Sequence, residues 1–264
     1  MSAGLDSIAE KLDGAATGQR AIAQLSIDTP LSVADAYRVQ QRLIERRLAR
    51  GETRVGVKLG FTSRAKMIQM GVHDLIWGQL TDAMIVGDGA HLALKAFIHP
   101  RAEPEIAFLI GQRLAGELNE EQALAAVRSV APALEIIDSR YSDFKFNLAD
   151  VIADNCSSAA LVVGPWQPLP GDIGNLAVLL EIDGRPAQSG STAAILGHPA
   201  RALVAAARLV ADAGFALEPG WIVMAGAATA AEHLRPGMRV CVTVERLGRA
   251  SFSCNGVPSE KQGR

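Results

Sequence analysis

Three glutamates have the residue type and the spacing to bind a metal ion. Glu103 and Glu105 are separated by one residue, and Glu135 follows thirty positions after Glu105. Each lies in an otherwise apolar stretch that predicts a buried strand, and residues two apart on a strand point to the same side. Buried carboxylates repel one another unless a cation lies between them. The pattern predicts a site for Mg²⁺ or Mn²⁺, hard cations that prefer oxygen ligands, although an E-x-E pair alone also fits a solvated strand face.

Three basic residues are candidates for work beside such a metal. Lys58 lies in a short Gly-flanked strand candidate, where it either reaches solvent or enters a pocket in which burial lowers its pKa and suits it to acid–base chemistry. Arg140 and Lys145 follow Glu135 closely in the sequence. They are candidates for binding a substrate carboxylate, and the alternative is an ordinary surface turn with weak ion pairs.

Two small polar segments are candidates for binding the anionic part of a ligand. Ser157 belongs to the polar run 153–158, and Thr229 belongs to the run of small residues 224–231. Such segments bring hydroxyl and backbone N–H groups close to an anion, or simply form turns. The five histidines share no short spacing, which argues against a zinc site. The sequence also contains no glycine-rich phosphate loop and no nucleophile elbow.

Composition limits the class of protein. The chain has 264 residues, 49% of them hydrophobic, which is enough for one large domain or a core with a smaller domain. A formal net charge of -2 gives no indication of binding to nucleic acid or to an anionic membrane. The three cysteines form neither a metal motif nor a disulfide framework, and no signal peptide or membrane-spanning run is evident. We therefore expect a cytoplasmic protein.

The pattern along the chain predicts helices first and strands later. Ser32 with Asp35 predicts the start of a helix that ends at Gly51, and a strand follows at residues 55–59. Further strands are predicted at residues 84–86, 106–110, 133–137, 158–163, 177–182, 221–225 and 239–244. Asn119 predicts a helix that continues to about residue 130, and Pro199 predicts another that ends at residue 214.

These elements predict an α+β fold, because the strands do not alternate regularly with helices. We expect a mixed sheet coiled into a roll or barrel. The expected division is an α-rich N-terminal region over residues 1–78 that carries Lys58, a β-rich catalytic core over residues 79–254 with the metal site, and a polar tail over residues 255–264. Pro104 is expected at a sheet edge or a bulge, because proline cannot donate to a strand ladder.

Taken together, these segments resemble the hydratase/decarboxylase family of aromatic meta-cleavage pathways, within the fumarylacetoacetate hydrolase superfamily. The resemblance spans residues 34–252 and rests on Lys58 in its Lys-Leu-Gly-Phe-Thr-Ser setting, on Glu103-x-Glu105, on Glu135 and on the Ala-Asp-Asn-x-Ser-Ser run. It implies a fold like the C-terminal domain of that superfamily. It also implies that the three glutamates hold Mg²⁺ or Mn²⁺ and that Lys58 is catalytic.

Within the family, the chain is more similar to the decarboxylase branch than to the hydratase branch. The similarity lies in residues 66–72, 76–78 and 137–146, and Ile76 stands where the hydratases tend to have an aspartate. The resemblance implies metal-dependent decarboxylation of 2-oxohex-3-enedioate (4-oxalocrotonate) to 2-hydroxypenta-2,4-dienoate and CO₂. The alternatives are hydration of 2-hydroxypenta-2,4-dienoate on the same scaffold and a non-catalytic metal-binding partner in the pathway.

The same resemblance implies a role for each remaining candidate residue. The metal is the electron sink, and Lys58 hydrogen-bonds the developing enolate and passes a proton. Ser157 and Thr229 fix the C1 carboxylate of the small 2-oxo dicarboxylate substrate. Arg140 or Lys145 meets its distal carboxylate, while an apolar lining that includes Ile76 favours loss of charge there. A homo-oligomer and a complex with the pathway hydratase are the expected assemblies.

Overall fold

The structure is a computed structural model that describes residues 2–63, 67–68 and 74–255. Over these residues the helices are α1 (Ser2–Thr17), α2 (Val33–Ala49), α3 (Glu120–Ala125), α4 (Leu148–Ala153) and α5 (Ala200–Asp212). The strands are β1 (Arg54–Gly60), β2 (Ile76–Thr81), β3 (Ile85–Val86), β4 (His91–Leu92), β5 (Arg101–Ile110), β6 (Val127–Ile137), β7 (Ser158–Val163), β8 (Ala177–Ile182), β9 (Arg185–Ser191), β10 (Ile222–Met224), β11 (Glu232–His233), β12 (Arg239–Val244) and β13 (Gly248–Cys254).

The strands form two mixed sheets that share one core. The larger sheet has the order β2-β1-β10-β5-β6-β7-β3, and β11 pairs with β5 beyond the end of β10. The smaller sheet has the order β4-β13-β12-β8-β9. Side chains from both sheets meet in one apolar cluster, which includes Phe108 and Leu134 from the larger sheet and Val242 and Phe252 from the smaller one. The predicted α+β class with a mixed sheet is confirmed.

The N-terminal helices form a second layer against the larger sheet. The side chain of Ser32 accepts a hydrogen bond from the backbone N–H of Asp35, which caps the start of α2 as predicted. Helices α1, α2 and α4 pack together in an apolar cluster that also contains Ile76 of β2. The boundary predicted at residue 78 falls inside β2, and Lys58 lies in β1 of the larger sheet. The predicted division of the chain into regions stays a prediction. Among the described residues, no helix combines the length and the apolar character needed to cross a bilayer.

The structure differs from the sequence-based expectations at two helices. The helix that begins after Asn119 ends at Ala125 rather than near residue 130, because Val130 is buried opposite Phe108 in the β5–β6 ladder. Burying Val130 in the sheet outweighs continuing a short helix. The sequence pattern also does not predict α4, which is a short helix capped by Asn147.

Pro104 lies in the interior of the larger sheet, opposite Leu134, and not at the expected sheet edge or bulge. Its carbonyl accepts a hydrogen bond from the N–H of Ala228, in the segment between β10 and β11. The N and O of one strand residue face the same neighbouring chain. The missing N–H of Pro104 therefore faces a gap in the ladder, where β10 has ended and β11 has not begun. This gap tolerates the proline.

We predict that Gly56→Ala destabilises the fold at the junction of β1 and β10. Gly56 lies opposite Ile222, and a Cβ added to it would lie 1.9 Å from the carbonyl oxygen of Ile222. Separating the strands to relieve this overlap should cost about 2 kcal/mol or more in the free energy of unfolding, measured by urea denaturation. The matched control is Gly14→Ala in α1, where a Cβ meets nothing within 4 Å and alanine should stabilise the helix by up to about 1 kcal/mol. Equal stabilities of the two variants would contradict this packing.

Candidate active site

The register of β5 and β6 brings the three predicted glutamates together. Glu103 lies directly opposite Glu135 in the antiparallel ladder, and Glu105 lies two residues further on the same face of β5. One oxygen from each carboxylate lies within 4.8 Å of the other two. Glu105 and Glu135 are buried, and Glu103 is only 9% exposed. The central strands of the larger sheet therefore gather three carboxylates in a largely dry site.

Hydrogen bonds and one ion pair orient these carboxylates. Glu105 Oε2 accepts a hydrogen bond of 2.8 Å from the N–H of Gly226, and Glu135 Oε1 accepts one of 3.0 Å from the hydroxyl of Ser158. Glu135 Oε2 lies 2.9 Å from Lys58 Nζ. Glu105 Oε1 is buried and has no hydrogen-bond partner in the described part of the chain. A buried carboxylate oxygen of this kind, beside two other carboxylates, fits a hard divalent cation.

The pKa shifts in the cluster have a common cause. Burial and the repulsion of Glu135 raise the pKa of Glu105 well above its ordinary value. Burial raises the pKa of Glu135 as well, against the attraction of Lys58. Burial opposes the charge on Lys58, but the attraction of Glu135, Glu103 and Glu105 outweighs it and raises the pKa of Lys58. The carboxylates therefore destabilise one another's charged forms, and a divalent cation between them removes this conflict.

Lys58 points into the site and not to solvent. It lies on β1, is 3% exposed, and donates a hydrogen bond of 3.3 Å to the carbonyl of Cys156 in addition to its ion pair with Glu135. Between the two interpretations given by the sequence, the structure favours the pocket, but the expected lowering of the Lys58 pKa is wrong because the neighbouring carboxylates outweigh burial. The ammonium group is thus held beside the carboxylates by two defined acceptors.

A cavity of about 420 Å³ opens beside Lys58 and Glu103. Ile76 and Ser157, both predicted as substrate-binding residues, line it. The Ser157 hydroxyl is buried and has no hydrogen-bond partner among the described residues. The remaining lining residues are mainly apolar: Gly60, Phe61, Arg101, Ile137, Phe144, Phe146, Val151, Cys156, Ala230 and Ala231. A larger groove of about 720 Å³ between α2 and β2 contains none of the three glutamates.

Three other predicted substrate-binding residues do not line this cavity. The hydroxyl of Thr229 donates to the carbonyl of Ala230, and its methyl group packs towards Gly190. The buried guanidinium of Arg140 binds the carboxylate and the carbonyl of Asp154. The side chain of Lys145 is 77% exposed. Their substrate roles stay predictions, and the placement of Arg140 and Lys145 does not favour them.

A strained turn after α4 supports the site. Asn155, Cys156 and Ser157 have consecutive positive φ angles of 49°, 54° and 57°, a conformation that costs non-glycine residues energy and often marks functional sites. The Asn155 side-chain amide accepts from the N–H of Gln79 at 2.8 Å and donates to its carbonyl at 2.9 Å. This pairing with β2 holds the turn that presents the Cys156 carbonyl to Lys58 and places Ser157 in the cavity wall.

Arg101 is a lining residue that the sequence analysis missed. It lies two residues before Glu103 on β5, and its guanidinium carbon is 3.9 Å from the ring centre of Phe144. Burial lowers the pKa of Arg101, although Glu103 opposes the shift. The signal in the sequence is the spacing of two residues: the position two before Glu103 lies on the same face of the strand as Glu103 and Glu105.

Comparison with known proteins shows the family of this chain. Residues 55–253 match the family described as "Fumarylacetoacetate (FAA) hydrolase C-terminal". The chain belongs to this family. The family fold, mixed sheets with a curled half-barrel sheet and helices, is the one predicted from the sequence. Of the run 66–72, which indicated the decarboxylase branch, only residues 67 and 68 lie within the described residues.

Several relatives carry the name 4-oxalocrotonate decarboxylase. One, from Pseudomonas sp, is 54% identical over 252 residues, which cover 96% of this chain and 98% of the relative. A solved structure of 4-oxalocrotonate decarboxylase from Pseudomonas putida G7, complexed with magnesium and adipate, superposes with a TM-score of 0.93 at 36% identity. That match covers 96% of this chain and 98% of that one. A 2-hydroxyhexa-2,4-dienoate hydratase from Comamonas testosteroni is 34% identical over 254 residues, covering 94% of this chain and 96% of the relative.

We predict that Glu105→Gln weakens metal binding and stabilises the metal-free protein. The variant removes one of three crowded negative charges without changing the size of the side chain. Its Mg²⁺ affinity should fall at least about tenfold in calorimetry, while its free energy of unfolding without metal should rise by about 1 kcal/mol or more. Glu121→Gln on exposed α3 is the control and should change neither quantity. Unchanged Mg²⁺ affinity in Glu105→Gln would exclude the ligand assignment.

We also predict that Mg²⁺ binding releases protons. The pKa values of Glu105 and Glu135 are raised, and a carboxyl group must be deprotonated to ligate a metal. Affinity should therefore fall as the pH is lowered through these raised pKa values, and it should be largest above them. Calorimetry at one pH in two buffers of different ionisation enthalpy should give different apparent enthalpies. Identical enthalpies in both buffers would show that no proton is displaced.

Proposed function

We propose that the protein is a metal-dependent carboxy-lyase that converts 2-oxohex-3-enedioate to 2-hydroxypenta-2,4-dienoate and CO₂ in the meta-cleavage degradation of aromatic compounds. The observation that carries the proposal is the cluster of three buried carboxylates and Lys58 beside a cavity with mainly apolar walls. The decarboxylases that cover nearly the whole chain, one of them complexed with magnesium and adipate, support the substrate class and the cofactor.

Glu103, Glu105 and Glu135 are the residues that would hold Mg²⁺ or Mn²⁺. When bound there, such a cation supplies a Lewis acid that favours the build-up of negative charge on the 2-oxo oxygen of the substrate. The three carboxylates fit such a cation because their oxygens converge and because Glu105 Oε1 has no hydrogen-bond partner among the described residues.

Lys58 and Ser157 act on the oxygen end of the substrate. As the bond between C5 and the distal carboxylate breaks, its electrons form a C4–C5 double bond, the C3–C4 double bond shifts to C2–C3, and the charge reaches the 2-oxo oxygen. The Lys58 ammonium, held by Glu135 and the Cys156 carbonyl, donates a hydrogen bond to this oxygen and supplies the proton of the enol product. The buried Ser157 hydroxyl, which has no partner among the described residues, supplies a donor to the neighbouring C1 carboxylate.

The apolar wall acts on the leaving end. Ile76, Phe146 and Val151 line the cavity and offer no charge to the distal carboxylate. A carboxylate removed from water among apolar groups is less stable than in water, while departing CO₂ is neutral. Arg140 and Lys145 are not among the residues that line the cavity, which does not favour their predicted contact with the distal carboxylate.

Hydration of the dienol product is the second candidate function. The scaffold is shared with a hydratase relative at 34% identity, which supports it. Ile76 favours decarboxylation, because an apolar side chain there cannot hold the water that hydration requires. A non-catalytic metal-binding partner in the pathway is the third candidate, and the buried Lys58 beside the cavity argues against it.

We further propose a homo-oligomer that associates with the matching hydratase, in a reducing cytoplasm. Pathway chemistry supports the association with the hydratase, because the decarboxylation product is the hydratase substrate. The three cysteines, all free, support the reducing cytoplasm. A net charge of -2 agrees with a small anionic substrate rather than a nucleic acid or membrane partner.

We predict that the protein with Mg²⁺ releases CO₂ from 2-oxohex-3-enedioate and that EDTA abolishes the release until Mg²⁺ is restored. Lys58→Met should lower kcat by about 10²–10⁴-fold, because the enolate loses its hydrogen-bond and proton donor. The control Lys95→Met, at an exposed lysine, should retain kcat. Mg²⁺ affinity, measured in parallel, shows whether the Lys58 variant keeps its site.

The products distinguish the three candidates. Turnover of 2-hydroxypenta-2,4-dienoate to 4-hydroxy-2-oxopentanoate without CO₂ release from the diacid would decide for the hydratase. No turnover of either compound by protein that binds Mg²⁺ would leave the non-catalytic partner.

A further inference from the structure

Arg101 is a cationic wall residue of the cavity to which the mechanism above gives no role. Arg101 is the first residue of β5. Its side chain projects on the same side of the strand as that of Glu103, because residues two positions apart on a strand point to the same side. Its Nε is buried and has no hydrogen-bond partner in the described parts of the chain. The side chain as a whole is partly exposed and lines the cavity. A guanidinium with spare donors, in a cavity that receives an anion, is suited to bind that anion.

The guanidinium of Arg101 is held in a fixed plane. It stacks on Phe144, with 3.9 Å between the guanidinium carbon and the ring centre. Phe144 is itself fixed by His99, whose ring centre lies 4.7 Å away and whose backbone N–H donates to Asp138 at 2.8 Å. A planar, stacked guanidinium presents its donors in the geometry that a carboxylate accepts. The donor is therefore positioned before a ligand arrives.

The substrate offers two carboxylates, and their fates differ. The distal carboxylate loses its charge as CO₂, so a cation paired with it would stabilise the reactant more than the transition state and slow the reaction. The C1 carboxylate keeps its charge throughout, so a cation paired with it binds the reactant and the transition state alike. The position of Arg101, one strand period from Glu103, also places it at the metal end of the cavity.

We propose that Arg101 binds the retained C1 carboxylate of a 2-oxo dicarboxylate at the end of the cavity that faces the glutamate cluster. The assignment rests on the proposed decarboxylation, because only there does one carboxylate leave. With the C1 end held between Arg101 and the cation that the glutamates would hold, the distal end would extend towards the apolar wall of Ile76, Phe146 and Val151.

The test compares two ligands that differ only in the distal carboxylate. 2-Oxoadipate and 2-oxohexanoate are titrated by calorimetry into the Mg²⁺-saturated wild type and into Arg101→Met, which keeps an unbranched side chain over Phe144. We expect the Kd of both ligands to rise by the same factor, about 10–100-fold, because both contain the C1 carboxylate. Mg²⁺ affinity without a 2-oxo acid should stay unchanged. The control Arg113→Met removes an exposed arginine paired with Glu218 and should change neither Kd.

The other outcomes overturn the assignment. A loss confined to 2-oxoadipate would show that Arg101 meets the leaving carboxylate, and no loss for either ligand, or no binding to the wild type, would remove its ligand role. If Arg101→Met also loses Mg²⁺ affinity, Arg101→Lys is measured with the same pair and should weaken both ligands equally. Because binding is measured without turnover, a failure to release CO₂ would contradict the proposed function, while the binding measurement would still show whether Arg101 contacts the C1 carboxylate.

Discussion

Mutual repulsion among three buried carboxylates is the constraint on which the rest of this structure depends. Two unit charges within 4.8 Å repel by roughly 3–4 kcal/mol at an effective dielectric constant of about 20. The cluster places three such charges together, so a flexible segment would simply move them apart. The long antiparallel ladder of β5 and β6 prevents this, because separating Glu103 from Glu135 would break the central pairing of the larger sheet. The fold thus maintains an arrangement of charge that is unfavourable without a cation, and this is the origin of its affinity for one.

The parts of the chain around the cluster are fixed through the backbone as well as the side chains. The N–H of Gly226 reaches Glu105 because the residue has a φ of 110° and lacks a Cβ, which would lie 2.2 Å from the hydroxyl of Thr62. The turn at Asn155 adopts a strained conformation that the pairing of its side chain with β2 stabilises. The Gly226 contact and the Asn155 turn both restrict the motion of the groups around the carboxylates. The site is therefore preorganised at the cost of local backbone strain.

The sequence identified the residues whose signal is local and missed those whose position depends on where the chain turns. Glu103 and Glu105 were predictable because a period of two inside an apolar run fixes their shared face regardless of tertiary context. The strand pattern left open whether Lys58 reaches solvent or a pocket, and only the family resemblance implied its catalytic role. Arg101 was missed because the strand predicted at residues 106–110 begins at Arg101 in the structure. Arg140 follows Glu135 closely in sequence, yet β6 ends at Ile137 and the buried carboxylate of Asp154 takes up the guanidinium. No local pattern encodes that pairing, because it depends on the packing of α4.

The two halves of the cavity have separate chemical meanings. Lys58 and Glu103 line one half, and under the proposed function this half stabilises a 2-oxo acid that takes up negative charge, in decarboxylation and in hydration alike. That half does not select between them, which agrees with hydratases and decarboxylases sharing the scaffold. Selection must come from the other half, where Ile76 and Val151 line the wall. A reactive water needs two or more polar partners to be held, and these side chains supply none, whereas they destabilise a carboxylate that can leave as neutral CO₂. Under the proposed function, the polarity of a few residues in the cavity wall would therefore direct the same scaffold to either reaction.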